Sequence, residues 1–376
     1  MIVDAPVIVD AHCHVIAPRM MTSAVPQQWR PAIRRSGGEA VIEFRGRQLN
    51  SVVAEFSDVD VMLAQAAATG VTHLLLSPWI MLVPVTAPVD EAVRVCRIQN
   101  EALAAAAASH PESVRVLGAV PLQDPPAAAR ELEYLMGLPG VRGAEVPASV
   151  AGDYLGDPRF LPFWEAAADL GAVIFVHPTT TGFGPPALAD YYLWNSVGNP
   201  LETTITAAHL IASGVLERFA GLIVLLAHGG GGLPALRGRL RRAFAVRPEA
   251  RAACPAGPDA SLRRLYFDSL THDPAVLAGL VELAGAGHVL LGSDRPFDMG
   301  APDPVGDLAA AGLRPGDEQL ILGGNAARLL GIGGGGDGAG GDGAGGDRAG
   351  EDRAGGGSGP RARLSLWRGI GFPSRQ

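Results

Sequence analysis

The stretch VIVDAHCHV, residues 7–15, lies near the start of the chain and decides the fold prediction. Its first half is apolar and rich in β-branched residues, which favours a buried strand, predicted here at Pro6–Ala11. His12 and His14 are two residues apart, so on an extended chain both side chains lie on the same side. Two imidazoles placed in this way can share one metal ion. The stretch therefore predicts a strand that leads directly into a metal site.

Similar apolar runs recur along the chain, and each is followed by an amphipathic or alanine-rich stretch. Nearly continuous apolar runs are typical of parallel strands that are buried on both faces. The predicted strands are Pro6–Ala11, Val71–Ser77, Val114–Val120, Val141–Val146, Ala172–His177, Leu222–His228, Leu265–Asp268 and Val289–Ser293. The predicted helices lie near Val59–Thr69, Pro88–Ser109, Pro125–Met136, Pro158–Leu170, Leu201–Phe219, Leu233–Ala245, Pro274–Leu283 and Asp317–Leu330.

Alternating strands and helices over about 330 residues predict an α/β protein, a (β/α)8 TIM barrel at residues 1–331. A doubly wound open sheet is the structural alternative. Residues 15–57 form a small insertion after the first strand, with a predicted hairpin of Ala40–Phe44 and Gln48–Val53 that could act as a lid. From Gly331 to Gly359, 16 of 29 residues are glycine. Residues 332–376 are therefore predicted to be a disordered tail, because they bury too little apolar surface to offset the entropy of ordering.

Composition excludes several classes of protein. The net charge of −8 argues against a nucleic-acid-binding protein. No apolar run approaches the roughly 18 residues of a membrane helix, and the N-terminus lacks the basic region of a signal peptide. Three widely spaced cysteines, Cys13, Cys96 and Cys254, argue against a disulfide framework and favour a cytoplasmic location. All 30 basic residues are arginine, which excludes a Schiff base and a carboxylated lysine bridging two metals.

Four predicted strands end in residues that can bind a metal or transfer a proton. His12 and His14 follow the first strand, His177 ends the fifth, His228 ends the sixth and Asp294 follows the eighth. In a TIM barrel the C-terminal ends of all strands face one opening, so these side chains should converge there. The glycines at 229–232 either expose N–H groups to a substrate anion or let the chain turn sharply beside the metal.

These segments resemble the amidohydrolase superfamily, and within it the branch of aminocarboxymuconate-semialdehyde decarboxylase and related decarboxylases. The resemblance extends from about Ile8 to Leu330. It is carried by VDAHCH at 9–14, VPLQDP at 120–125, FVHP at 175–178, SGVLERF at 213–219, LLAHGGGGLP at 225–234, LYFDS at 265–269, LLGSDRPF at 290–297 and GGNAARLLG at 323–331.

The resemblance implies one divalent metal, expected to be zinc, held by His12, His14, His177 and Asp294. It implies that His228 is the acid/base residue beside the metal, with Asp294 as a second catalytic group. The pKa of a free imidazole suits His228 to proton transfer near neutral pH. Asp10 and Asp268 are expected to orient their neighbours. Glu145, which ends the fourth strand, remains an alternative bridge to a second metal.

On the substrate side, the resemblance implies an arginine in the insertion that binds the substrate carboxylate. Arg47 is the expected equivalent, although Arg45 also fits and a direct alignment places Asn50 there. Arg295, next to Asp294, is a second expected carboxylate-binding residue or else a structural ion-pair partner. Trp194 is expected to stack on a planar substrate, with packing of its loop as the alternative.

The predicted function is non-oxidative decarboxylation of an aromatic or unsaturated carboxylic acid by a metal-dependent carboxy-lyase. The alternative is metal-dependent hydrolysis of an amide, lactone or activated ester, because the same fold and ligands serve both reactions. A hydratase and a barrel that binds ligand without catalysis are further alternatives. The expected partner is a small-molecule carboxylate, with no nucleic acid and no membrane, and the resemblance implies a homodimer.

Overall fold

The computed structural model describes residues 6–36, 39–49, 53–179 and 184–333. Within them, one sheet contains eight strands that pair in parallel in chain order, each with the next. The strands are Val9–Val15, His73–Pro78, Val114–Ala119, Val141–Pro147, Val173–His177, Ile223–Leu226, Tyr266–Asp268 and Val289–Leu290. All eight predicted strands are present, with ends that shift by a few residues.

The sheet closes because the first strand also bonds to the segment that follows the eighth strand. The Ala11 N–H donates to the Leu291 carbonyl at 2.8 Å, and the His14 N–H donates to the Arg295 carbonyl at 2.7 Å. An isolated parallel bridge joins Cys13 to Arg295. The predicted (β/α)8 barrel is therefore confirmed, and the open-sheet alternative is wrong.

Helices surround the barrel, and several begin with an aspartate that accepts backbone N–H groups followed by a proline. Asp124 precedes Pro125 in this way, and Asp273 precedes Pro274. The α-helices are Val53–Ser57, Val59–Ala67, Val89–Ser109, Pro125–Met136, Leu161–Asp169, Asn199–Ala212, Val215–Arg218, Leu233–Val246, Pro248–Arg251, Pro258–Leu262, Pro274–Ala284, Pro304–Ala310, Pro315–Gln319 and Asn325–Leu330. Short 3-10 turns include Pro158–Phe160, and π turns occur at Trp194–Gly198 and Leu320–Gly324.

The barrel interior is filled by side chains from alternate positions of its strands. Val9, Leu75, Leu117 and Phe175 belong to one buried apolar cluster, which Leu330 of the final helix also joins. These residues fill the barrel beneath the polar strand ends, and the ring of Phe175 lies 4.9 Å from that of His12 between centroids. The polar residues at the C-terminal strand ends therefore lie on the opposite, open side.

The insertion after the first strand forms a three-stranded antiparallel sheet of Ala32–Ser36, Glu39–Phe44 and Arg47–Leu49. The predicted hairpin is present, with Arg47–Leu49 as its second arm. Val53, predicted as part of that arm, begins a helix instead, and residues 50–52 lie outside the described part of the chain. The turn is made by Arg45 and Gly46, both with positive φ. The strand Ala32–Ser36 was not predicted, because its Ile33 is 52% exposed and gives no pattern of burial.

Residues 334–376 lie outside the described part of the chain, so the predicted tail and the boundary at residue 331 stay predictions. Among the described helices, none combines the length and the apolar character needed to cross a membrane. A second small sheet pairs Ser149–Val150 with Asp153–Tyr154 beside the fourth strand.

Candidate metal centre and active site

The four expected metal ligands converge at the open end of the barrel. His12, His14, His177 and Asp294 are all buried, and each offers one ligand atom within 4.8 Å of the others. His12 and His14 belong to the first strand and His177 ends the fifth, while Asp294 follows the eighth strand by four residues. The barrel topology explains this convergence of residues that are far apart in sequence.

The distances between these atoms fit one divalent metal. Asp294 Oδ1 lies 3.3 Å from His12 Nε2 and 3.1 Å from His14 Nε2, and the two Nε2 atoms are 3.1 Å apart. Ligand atoms around a tetrahedral zinc ion are separated by about 3.3 Å. His177 Nε2 and Asp294 Oδ1 are buried and have no hydrogen-bond partner among the described residues. A metal cation would satisfy both atoms.

The second nitrogen of each ligand histidine fixes the orientation of its ring. His12 Nδ1 donates to Asp268 Oδ2 at 2.6 Å, and His177 Nδ1 donates to the Pro178 carbonyl at 2.9 Å. His14 Nδ1 lies 3.3 Å from the Pro78 carbonyl, a distance that suits a hydrogen bond. Each Nδ1 is therefore a hydrogen-bond donor, and the Nε2 of each ring is the atom that would bind a metal.

Asp268 connects a metal ligand to the loop that carries His228. Besides His12, its carboxylate accepts the backbone N–H of His228 at 2.8 Å and that of Gly229 at 2.7 Å. Asp10 has a related position, because its Oδ1 accepts the His12 N–H at 3.1 Å and the Ser293 N–H at 3.0 Å. Both contact patterns match the supporting roles expected of these carboxylates.

We expect Asp268→Asn to weaken metal binding by about 10- to 100-fold, because the amide cannot accept all of these hydrogen bonds. The change is measured as the metal dissociation constant by competition with a chelator. Asp273→Asn is the matched control, since asparagine caps a helix as well as aspartate does. Equal metal affinity in the two variants would contradict the role given to Asp268.

Burial and neighbouring charges set the electrostatics of the centre. Burial lowers the pKa of His14 and lowers that of His177 further, so both rings are neutral and ready to bind a metal. Burial also opposes protonation of His12, but the charge of Asp294 and the bond to Asp268 raise its pKa to about 10. Burial alone would raise the pKa of Asp294, yet His12 and its hydrogen bonds hold it well below its usual range. The centre therefore keeps an ionised carboxylate.

His228 lies beside the four ligands and is not one of them. Its Nε2 is 3.6 Å from Asp294 Oδ2, while Asp294 Oδ1 faces His12 and His14. The backbone of both His228 and Asp294 is left-handed, with φ of 56° and 62°. Such conformations are unfavourable for these residues and are found where a site holds a side chain in a required position.

The glycines after His228 have their N–H groups bonded within the protein. Gly229 donates to Asp268, Gly230 to the Ala227 carbonyl, Gly231 to the His228 carbonyl and Gly232 to Thr204 Oγ1. The structure therefore favours the interpretation that these residues let the chain turn beside the metal.

A cavity with two lobes opens above the centre. The first lobe has a volume of about 380 Å³ and is lined by His177, Asp294 and several apolar side chains, including Trp79, Trp194 and Phe297. The second lobe has a volume of about 290 Å³ and includes His228, Gly229 and Thr271. Asn195, Asn199, Asp294 and Met299 line both lobes. Asp294 thus faces both lobes, while His177 lines the first lobe and His228 lines the second.

The expected substrate-binding residues have three different outcomes. Trp194 lines the first lobe, with its ring 5.0 Å from that of Tyr192. The side chain of Arg47, and all of Asn50, lie outside the described part of the chain. The guanidinium of Arg45 lies 4.0 Å from the ring of Trp29, and Arg45 lines neither lobe.

Arg295 requires a correction, because it does not reach the cavity. Its guanidinium donates to Thr69 Oγ1 at 2.8 Å and to the Pro302 carbonyl at 3.3 Å. Asp294 points into the centre, so the side chain of the next residue is directed elsewhere. Arg295 therefore has a structural position, held by these hydrogen bonds, and no ion pair of Arg295 occurs among the described residues.

Glu145 of the fourth strand and Cys13 of the first strand are both buried next to the metal centre. Glu145 is fully buried, and burial raises its pKa well above the usual range. Its Oε1 lies 3.8 Å from Nδ1 of His14 and 4.0 Å from Nδ1 of His177, on the side of each ring away from the metal centre. Glu145 is not part of the four-residue group that could hold a metal, but both of its oxygens are buried without a hydrogen-bond partner among the described residues, so the bridging role stays an alternative. Cys13 is buried behind the site, with its Sγ 3.3 Å from the Leu75 carbonyl.

Sequence reasoning missed Trp79, Phe297, Asn195 and Asn199 as cavity residues. Trp79 directly follows the second strand, so the rule that strand ends face the opening could have identified it. Phe297 follows Asp294 by three residues, and its ring contacts that of His14 at 5.3 Å between centroids. Asn195 and Asn199 lie on a long loop and helix start that carry no comparable signal.

The sequence of this chain is similar to a known protein family and to a known decarboxylase. A profile of the family described as Amidohydrolase matches residues 9–332. The chain is 28% identical over 330 residues to 2-amino-3-carboxymuconate-6-semialdehyde decarboxylase of Dictyostelium discoideum, covering 86% of this chain and 91% of that protein.

Solved structures show the same fold. The crystal structure of 5-carboxyvanillate decarboxylase from Sphingomonas paucimobilis is 24% identical and has a TM-score of 0.74, covering 87% of this chain and 99% of that one. A dihydroxybenzoic acid decarboxylase from Polaromonas, solved with manganese and an inhibitor, is 21% identical with a TM-score of 0.71, covering 87% and 97%.

Proposed function

We propose that this chain, which belongs to the amidohydrolase family, is a metal-dependent decarboxylase of an aromatic or unsaturated carboxylic acid. The observation that carries the proposal is the position of His228 beside a four-residue metal centre, within a cavity lined by aromatic side chains. The decarboxylase relatives favour this reaction over the hydrolysis that the same centre can perform.

The reaction replaces the carboxylate group on one carbon of the substrate with a hydrogen atom. A proton adds to the carbon that bears the carboxylate, the bond to the carboxyl carbon breaks, and CO2 leaves with its former bonding electrons left on the ring carbon. A bound divalent metal would supply a Lewis acid that holds the oxygens of the substrate. His12, His14, His177 and Asp294 are the residues that would bind this metal.

His228 is the proposed source of the proton. It lines the second lobe beside Asp294, which lines both, so a substrate held by the first lobe would present its reacting carbon towards His228. Asp294 Oδ2 faces His228 Nε2 at 3.6 Å, so the carboxylate lies directly beside the proposed proton donor. The two oxygens of Asp294 thus serve different partners, which supports both roles proposed for this residue.

The apolar side chains of the first lobe suit a planar substrate. We propose that Trp194 stacks on the substrate ring, since ring faces attract each other in offset or edge arrangements. Trp79 and Phe297 line the same lobe and would exclude water from the reacting carbon.

Arg47 stays the proposed carboxylate-binding residue, because it is two positions before Leu49, which lines the first lobe. We expect Arg47→Gln to raise KM at least about tenfold through loss of a charge-assisted hydrogen bond. We expect Arg295→Gln to leave KM within about twofold of wild type and to cost about 1 kcal/mol of stability. Steady-state kinetics and chemical denaturation measure the two effects, and the reverse pattern would contradict this assignment.

We propose zinc as the metal, because three imidazoles and one carboxylate suit Zn2+. The manganese in the Polaromonas structure makes Mn2+ the competing metal. Elemental analysis of protein purified without added metal decides between them.

We also propose that two copies of the chain form a homodimer and that the protein acts in the cytoplasm. The homodimer rests on the resemblance to related decarboxylases. The free state of the buried Cys13, Cys96 and Cys254 supports a reducing compartment. Sedimentation velocity tests the first proposal, and cell fractionation tests the second.

The proposed reaction is tested by measuring CO2 release from a panel of aromatic and muconate-like acids. Release from at least one acid, with the decarboxylated product formed in equal amount, is the expected result. Esters, lactones and amides in a parallel panel test hydrolysis. Hydrolysis of one of these compounds without CO2 release from any acid would contradict the proposed function.

A further inference from the structure

The helix Asn199–Ala212, which follows the fifth strand, carries an unusual row of buried polar side chains. The row consists of Asn199, Glu202, Thr203, Thr204 and Thr206, each at most 9% exposed. Buried polar groups cost stability unless they are hydrogen-bonded. The partners of these groups therefore indicate what the row does.

Glu202 binds the loops that follow two neighbouring strands. Its Oε1 accepts from Ser149 Oγ at 2.8 Å, just after the fourth strand. Its Oε2 accepts the backbone N–H of Thr179 at 2.7 Å. Thr179 is two residues beyond the metal ligand His177. Glu202 thus fixes the position of the backbone segment that follows His177.

Thr204 binds the loop that carries His228. Its hydroxyl accepts the N–H of Gly232 at 2.7 Å and donates to the Pro200 carbonyl at 2.7 Å. The loop also lies against the helix at Gly231, where a Cβ atom would stand 2.1 Å from the Pro200 carbonyl oxygen. Asp268 holds the start of this loop at the N–H groups of His228 and Gly229. Thr204 holds its end.

We propose that Glu202 and Thr204 are positioning residues, Glu202 for the metal ligand His177 and Thr204 for the proton-transferring His228. The part concerning Thr204 rests on the proposed function, whereas the part concerning Glu202 requires only that the centre binds a metal. One rigid helix, whose first residue Asn199 lines both lobes, then sets the distance between the metal and the proton donor.

The two residues make different predictions, which separates positioning from a general contribution to stability. Glu202→Leu removes both acceptors beside the His177 loop, and the metal dissociation constant should rise about tenfold. Glu202→Gln keeps an acceptor for Thr179 N–H and a donor for Ser149, and it should restore most of the affinity. Metal affinity is measured with Zn2+ by chelator competition.

Thr204→Val leaves the Gly232 N–H without an acceptor, and kcat for CO2 release should fall about tenfold. Metal content should stay at the wild-type value, and Thr204→Ser should restore kcat. Thr203→Val is the matched control, because the Thr203 hydroxyl donates to the Asn199 carbonyl at 3.2 Å and bonds to no loop among the described residues. Hydrogen exchange at Gly232 should accelerate in Thr204→Val and remain unchanged in Thr203→Val.

Each readout can overturn the proposal. A wild-type metal dissociation constant in Glu202→Leu would overturn the role of Glu202. Equal kcat in Thr204→Val and Thr203→Val, or equal exchange at Gly232, would overturn the role of Thr204. If the wild-type protein releases no CO2 from any acid, the proposed function fails, and with it the role of Thr204 in proton transfer. Metal affinity then still decides the role of Glu202, and hydrogen exchange still decides whether Thr204 holds the loop of His228.

Discussion

Replacing His228 with asparagine is expected to lower the rate of CO2 release by about a thousandfold while the protein keeps its metal. A positioned acid or base contributes roughly 10²- to 10⁴-fold to a rate, and asparagine cannot carry the proton. His228 is not among the four converging ligands, so its loss should spare the metal. Single-turnover CO2 release and elemental analysis of the same sample measure both quantities.

The control for this variant is His288→Asn. His288 lies just before the eighth strand, at the end of the barrel away from the cavity. Residues at this end of a TIM barrel contribute to stability and not to the reaction, so His288→Asn should keep the wild-type rate of CO2 release. If His228→Asn kept more than about a tenth of the wild-type rate, His228 would not be the proton donor.

Replacing His177 with alanine is expected to abolish metal binding and, with it, all CO2 release. The variant leaves two imidazoles and one carboxylate, and Asp294 Oδ1 stays buried with no hydrogen-bond partner among the described residues. A site that loses one of four ligands binds zinc far more weakly, because its binding free energy is spread over the ligand set. Metal content after dialysis measures the loss.

His209→Ala is the matched control for the His177 variant. His209 is exposed on the helix Asn199–Ala212, and its ring stacks on that of Tyr154. The His209→Ala variant should keep its metal. Full metal content in His177→Ala would show that the ion binds elsewhere.

The fold could be predicted because the buried strands leave a strong pattern in the sequence. The runs at 173–176 and 223–226 are apolar at every position and so on both faces, as expected of a sheet that is covered on both sides. The strand Ala32–Ser36 left no such pattern, because it lies on a small sheet with an exposed Ile33. The ends of several strands differ from the prediction by a few residues. The backbone hydrogen bonds of the sheet, and not the polarity of the side chains, decide the last residue of a strand.

The convergence of the candidate metal ligands could be predicted from sequence because the barrel topology fixes where strand ends meet, whereas only the family resemblance separated His228 from the four. His12, His177 and Asp294 each follow a buried run, and the fold does the rest. The side chain of Arg295 could not be placed in this way, since a neighbour of a ligand can point either way once the strand has ended. Trp79 and Phe297 were missed because apolar side chains beside a strand look like core.

The measurement that tests the account most directly is CO2 release by the wild-type protein as its metal is removed and restored. The account predicts that a chelator abolishes release, and that activity returns in proportion to added metal until about one ion is bound per chain. The His177→Ala variant should not recover under the same treatment. Release that persists after the metal is gone would contradict the account.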